Sequence, residues 1–145
     1  MREPINIEEV DGFYYNKDTI QPYSGPYVLY YKNGQKELKV IIKGGKEDGL
    51  KTYWFENGQK ESEGKLKDGK VDGLWTTWYE NGQKRIENTY KDGKKDGLWT
   101  WWFENGQKKS EPIWKDGEFI SSKSWNEDGS VVVPPPPEKD TIMRK

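Results

Sequence analysis

The chain has 145 residues, room for one domain of ordinary size and too little for a multidomain enzyme. Only 31% of residues are hydrophobic while 14% are aromatic, alanine is absent and glycine occurs 16 times, so large flat side chains must fill any interior and helix is all but excluded. Lys plus Arg number 24 against 25 Asp plus Glu, a net charge of −1 that argues against nucleic acid and anionic membranes as partners, while the lack of cysteine excludes disulfides, thiolate zinc sites and thiol nucleophiles.

At the N-terminus, MREPINIEEVDG has no apolar h-region, and no later stretch approaches the roughly 18 apolar residues of a membrane span. The sequence therefore reads as cytoplasmic, unless a leader has been removed. Residues 1–22, with Phe13-Tyr14-Tyr15 and the break NKDTIQP, predict a degenerate hairpin that caps the segment beginning at Tyr23.

Residues 23–119 are governed by one period. Asn33-Gly34, Asn57-Gly58, Asn81-Gly82 and Asn105-Gly106 are spaced by 24 residues, and two further glycine registers, starting at Gly25 and Gly45, repeat in phase with them. A unit such as GLWTTWYENGQKRIENTYKDGKKD reads as a strand (Leu74 to Tyr79), a tight turn, a return strand (Arg85 to Lys91) and a second turn at Asp92-Gly93. The Asn-Gly pair predicts a type I′ turn, because that turn needs positive φ at both central residues and these two tolerate it. Four such units predict an all-β fold, a single-layer antiparallel β-meander solenoid of 24-residue hairpins with essentially no helix. One hairpin buries too little apolar surface to offset the ordering of its backbone, so the units must stack.

In the fourth unit Pro112 falls inside the return strand, where its missing N–H is tolerated only at an edge or bulge, and the ladder should weaken there. Residues 120–133 predict a C-terminal cap hairpin turning at Asn126 to Gly129. Residues 134–145, opening on Pro134 to Pro137, read as a Pro-rich disordered tail.

Strand alternation sorts the aromatic residues onto two faces. Tyr30, Trp54, Trp78 and Trp102 form one column, with Leu50, Leu74 and Leu98 beside them, while Tyr31, Phe55, Tyr79 and Phe103 share the other face with Trp75 and Trp99. One face must serve as core. The other is then an apolar surface that twist and capping segments bury or a partner covers, and the column Tyr30, Trp54, Trp78, Trp102 is the candidate partner-binding site.

Chemistry is poorly supplied. Without His or Cys the common general base and the thiol are missing, and none of the seven Ser sits in a nucleophile-elbow setting. The carboxylates that could pair as acid and base fall at turns with no desolvating pocket. Asp48, Asp72 and Asp96 lie near Asp68, Asp92 and Asp116, which suggests calcium, but Lys46, Lys70 and Lys94 interrupt each site and Asp before Gly is ordinary turn chemistry. No cofactor, metal or catalytic residue is assigned. Glu56/Lys60, Glu80/Lys84 and Glu104/Lys108 read as solubilising charges beside the Asn-Gly turns.

The runs GLWTTWYENGQKRIENTYKDGKKDG and GLWTWWFENGQKKSEPIWKDG, with the recurring D-G-K-x-D-G link and the entry PYSGPY, resemble MORN-type repeats in the bacterial variant of the YwqK-like antitoxin family, over about residues 12–120. The resemblance implies a β-meander that binds another protein, a toxin in the antitoxin case, and brings no catalytic residue with it. Departures from the pattern are Gly44-Gly45 for Asp-Gly, Lys51 where later units have Trp75 and Trp99, and Pro112, each a place where the ladder should lose regularity. Trp/Tyr-rich hairpin arrays also resemble choline-binding repeats, which implies a carbohydrate or cell-wall ligand, although those units are shorter and lack ENGQK turns. A third reading is an architectural repeat that self-associates through its edge strands.

Overall fold

A computed structural model describes residues 6–133, which contain no helix; residues 1–5 of the expected cap and residues 134–145, the expected tail, lie outside the described residues. The strands are β1 (Ile7–Val10), β2 (Phe13–Asn16), β3 (Gln21–Pro22), β4 (Gly25–Tyr30), β5 (Lys36–Lys43), β6 (Lys46–Trp54), β7 (Lys60–Lys67), β8 (Lys70–Trp78), β9 (Lys84–Lys91), β10 (Lys94–Lys95), β11 (Gly97–Leu98), β12 (Thr100–Trp102), β13 (Lys108–Ser110), β14 (Ile113–Lys115) and β15 (Glu118–Ser121). From β4 to β9 each strand pairs antiparallel with the next, and β12 and β13 extend the same open sheet. The meander runs in chain order.

The type I′ geometry predicted for the Asn-Gly turns is found at the Asp-Gly turns instead. In each Asn-Gly loop only the glycine has positive φ, 88° to 90°, so the type I′ expectation fails there. Gly82 N donates to Tyr79 O at 2.9 Å and Tyr79 N to Gln83 O at 2.8 Å, which makes a three-residue loop, a type I turn closed by a glycine bulge. The cause is the asparagine side chain: Asn81 Oδ1 accepts the Gln83 N–H at 2.9 Å and holds its own backbone out of the left-handed region. Type I′ geometry falls instead to the Asp-Gly turns, with φ of 50° and 83° at Asp68-Gly69. Gly44-Gly45 adopts 57° and 86°, so this departure from the repeat leaves the ladder intact.

Lys51 likewise keeps register, pairing with Val40 on one side and Gly64 on the other. In place of a Trp its ammonium reaches Glu47 at 2.8 Å, and Tyr14 donates its hydroxyl to the same carboxylate at 3.3 Å. Burial alone would lower the Lys51 pKa, but the contacts to Glu47 and Tyr53 outweigh it and the value is raised. Only Pro112 breaks the ladder as expected. Trp99 N donates to Pro112 O at 2.8 Å with no N–H returned, and here β11, β14 and β15 separate into a sheet of their own.

Pairing register shows which face is the core. Leu38, Val40 and Ile42 on β5 face the same way as Tyr27, Tyr53, Leu66, Trp75 and Tyr90, and β2, the middle strand of a separate N-terminal sheet β1-β2-β3, lays Tyr14 over them. Tyr14, Leu38, Val40 and Ile42 form the buried cluster, and Tyr14 meets Tyr27 edge to face with centroids 5.0 Å apart. Toward the C-terminus this inner face becomes aromatic: Trp99 packs between Tyr90 and Trp114 at 5.3 and 5.8 Å, with Lys95 Nζ 4.3 Å from the Trp114 ring centroid.

Side chains also tie one unit to the next. Tyr31 and Tyr79 donate their hydroxyls to the carbonyls of Trp54 and Trp102, at 2.6 and 2.7 Å. Asn33, Asn81 and Asn105 donate Nδ2 to the carbonyls of Glu56, Glu104 and Glu127 at 3.0 to 3.1 Å. The last of these reaches the loop Asn126 to Ser130, whose Gly129 φ of 89° and Gly129 N to Asn126 O bond of 2.9 Å repeat the Asn-Gly loop a fifth time. Asp128 stands there in place of asparagine and has no amide to pass on. Asn105→Asp keeps the acceptor for Gln107 N but removes the donor to Glu127, and the expected cost is about 0.5–1.5 kcal/mol in urea unfolding.

Candidate functional site

The face opposite the core carries the candidate column. Val28, Thr52, Thr76 and Thr100 alternate along their strands with residues of the inner face, so Tyr30, Trp54, Trp78 and Trp102, two positions further on, point outward. Tyr30 is 59% exposed and the three Trp are half-buried. Strands two apart lie roughly 10 Å from one another, which sets the spacing along the column.

Between these rings lie lysines. The bulge beside each loop pairs Tyr30 with Lys36, Trp54 with Lys60, Trp78 with Lys84 and Trp102 with Lys108, so aromatic and ammonium groups alternate down the face. Lys36 and Lys84 each place Nζ 5.8 Å from the ring centroid of the next unit's Trp, over Trp54 and Trp102. Lys60, Lys84 and Lys108 also pair with Glu63, Glu87 and Glu111 at 2.9, 3.3 and 3.0 Å, three residues along the chain. The carboxylate partners are thus Glu63, Glu87 and Glu111 and not the turn-flanking Glu56, Glu80 and Glu104, because the extra residue of the bulge offsets the alternation and brings the residue three positions on to the lysine's face.

Glu63 also accepts a hydrogen bond from Thr52 Oγ1 at 2.8 Å. Burial would raise its pKa, but the Lys60 and Thr52 bonds prevail and the carboxyl is held below the usual glutamate value. A depressed folded-state pKa means this stabilisation is present above the unfolded glutamate pKa and is lost as pH falls through the lower folded one. Thr52→Val should therefore cost about 0.5–1.5 kcal/mol at neutral pH, with the deficit shrinking in acid, as read by urea unfolding at several pH values.

Leu50, Leu74 and Leu98 lie on the same outward face, 45%, 52% and 49% exposed. Beyond them Lys43, Lys67, Lys91 and Lys115 each come directly after a residue of the inner face and so point outward. The near-zero net charge thus hides a sorted distribution, with lysines stacked on one face and many carboxylates at the turns. Asp48 and Asp96 accept the N–H of Asp68 and Asp116 at 3.3 and 3.2 Å, which gives these carboxylates a turn-capping role.

Two features escaped sequence reasoning. Trp125, paired with Val131 as Trp102 is with Lys108, extends the outward column by one more ring. The signal was present in W-N-E-D-G-S, which matches W-F-E-N-G-Q but falls 23 rather than 24 residues later. The lysine columns were also legible, at constant 24-residue spacing, but a total-charge argument averages them away.

The family model described as MORN repeat variant matches residues 47–68, 71–92 and 95–118. No curated protein sequence matches the chain. The matched segments begin on the outgoing strands and end at the Asp-Gly turns, in the third just past one, so the model's repeat and the hairpin of the structure coincide. Residues 47–118 of this chain are three tandem hairpins, each matched in turn by the MORN repeat variant model.

Proposed function

We propose that the chain is a non-catalytic protein-binding repeat module, and that Tyr30, Trp54, Trp78 and Trp102 form the centre of its binding face. The observation that carries this reading is an aromatic column, Tyr30 exposed and three Trp half-buried, kept on the face away from the buried cluster of Tyr14, Leu38, Val40 and Ile42. Trp and Tyr supply large contact area at low entropic cost, which favours them at the centres of interfaces. The resemblance of the repeat to the YwqK-like family supports a toxin as the partner and antitoxin action as the role.

Affinity capture on the tagged full chain tests the reading, run beside a variant with Trp54, Trp78 and Trp102 changed to Ala. Circular dichroism must show the variant's sheet intact. A protein retained by the parent chain and lost by the folded variant supports the reading. Equal retention by both removes the column from the interface, and capture of cell-wall glycan instead of protein moves the function to carbohydrate binding.

A further inference from the structure

The outward face is organised as two parallel apolar rails. Leu50, Leu74 and Leu98 form one, and the Trp column forms the other, four residues on along β6 and β8, or about 13 Å at ~3.3 Å per residue, and from β11 to β12 in the last unit. Between them the floor is low: Thr52, Thr76 and Thr100 are buried, and Glu63, Glu87 and Glu111 lie over them, each held by its lysine. Lysines border the arrangement on both sides. Lys43, Lys67, Lys91 and Lys115 run outside the Leu rail, and among the described residues none of them has a carboxylate within 4.0 Å; the other lysine column interleaves the Trp rail.

We propose that this trough seats an acidic amphipathic helix of a partner protein, laid across the strands. The inference rests on the protein-binding reading and specifies its partner. Three features of the face select this occupant. The backbone spacing of the rails, about 13 Å, is close to the diameter of a helix, roughly 10–12 Å, so a single helix meets both rails. The ~10 Å step between units matches seven helical residues, about 10.5 Å, so heptad-spaced apolar side chains meet successive units, whereas an extended strand repeats its face every ~6.6 Å. The charge pattern, apolar rails with unpaired lysines outside, complements a helix with an apolar stripe and carboxylates on its flanks. The carboxylates in the floor disfavour nucleic acid and anionic lipid, whose negative charge would press against Glu63, Glu87 and Glu111 without an apolar ridge to separate them.

The probe is a labelled 21-residue peptide with leucine at heptad positions and glutamate on its flanks, titrated into the full chain and monitored by anisotropy and peptide circular dichroism. A scrambled peptide of the same composition, a lysine-for-glutamate version and phosphatidylserine vesicles run beside it. The expected result is saturable binding of the first peptide alone, with gain of helix and weakening as salt rises. The double variant Lys67→Glu, Lys91→Glu should lower affinity about tenfold or more, as should Leu74→Lys, while both keep the parent melting temperature within a few degrees because these side chains are exposed. Arg85→Glu, on the bulge beside the Tyr79 ring, is the control and should bind as the parent does. Equal binding of the scrambled peptide, no binding of either, or binding to vesicles alone overturns the proposal. Trp-dependent capture of a protein together with no peptide binding overturns the helix and leaves the protein-binding reading standing.

Discussion

Ile42→Ala will lower the free energy of unfolding by about 2–5 kcal/mol, measured as a shifted urea midpoint with little change in slope. Ile42 is 1% exposed and belongs to the one fully enclosed cluster of the described residues, with Val40, Leu38 and Tyr14. Its methyl groups lie where the N-terminal sheet closes on the meander. Tyr14 N and Tyr23 O clasp the Gly45 backbone at 2.6 and 2.8 Å, so the backbone there cannot readily collapse into the cavity that alanine leaves. A truncation in this cluster also loosens the cap that keeps the first unit's aliphatic face from water. Lys43→Ala, the next residue but on the outward face, is the control and should stay within about 0.5 kcal/mol of the parent. Equal effects of the two would mean that the N-terminal sheet does not cover the inner face.

Gly64→Val will destabilise by about 1–3 kcal/mol through overpacking, and part of that cost will return when Trp75 is also changed to Leu. Gly64 on β7 stands opposite Trp75 on β8, and any Cβ there would run into the Trp75 ring and the Leu74 carbonyl. The equivalent position one unit earlier is Val40, which faces Lys51, a side chain that bends away to its carboxylate partner. Valine and lysine in one unit, glycine and tryptophan in the next, are alternative ways of filling the same space. Their coupling, read as the difference between the double variant and the sum of the singles, should exceed about 0.5 kcal/mol. A sum with no coupling would show that Trp75 does not occupy the space above Gly64.

How much of the fold and the face was legible in the sequence differs from residue to residue. The loop at Asn81-Gly82 was placed correctly, yet the type I′ geometry expected of it is found at Asp92-Gly93. Both pairs tolerate positive φ, and dipeptide preference cannot register that Asn81 reaches two residues ahead to Gln83 and across to the Glu104 carbonyl. The candidate rings Tyr30, Trp54, Trp78 and Trp102 share a face as alternation required, whereas Trp125 was missed because a single deleted residue takes it out of the period.

The sequence by itself determined the hairpins, their period and the sorting of side chains onto two faces, because turn chemistry and strand alternation act over a few residues. Which face became the core was decided only by tertiary structure. Both faces carry rings, and the choice fell to the N-terminal sheet, which brings Tyr14 against Val40 and Ile42 from far along the chain. Tertiary structure also turned a charge-balanced composition into a lysine-bordered face, since stacking unit upon unit sets like positions about 10 Å apart and makes every constant residue a column.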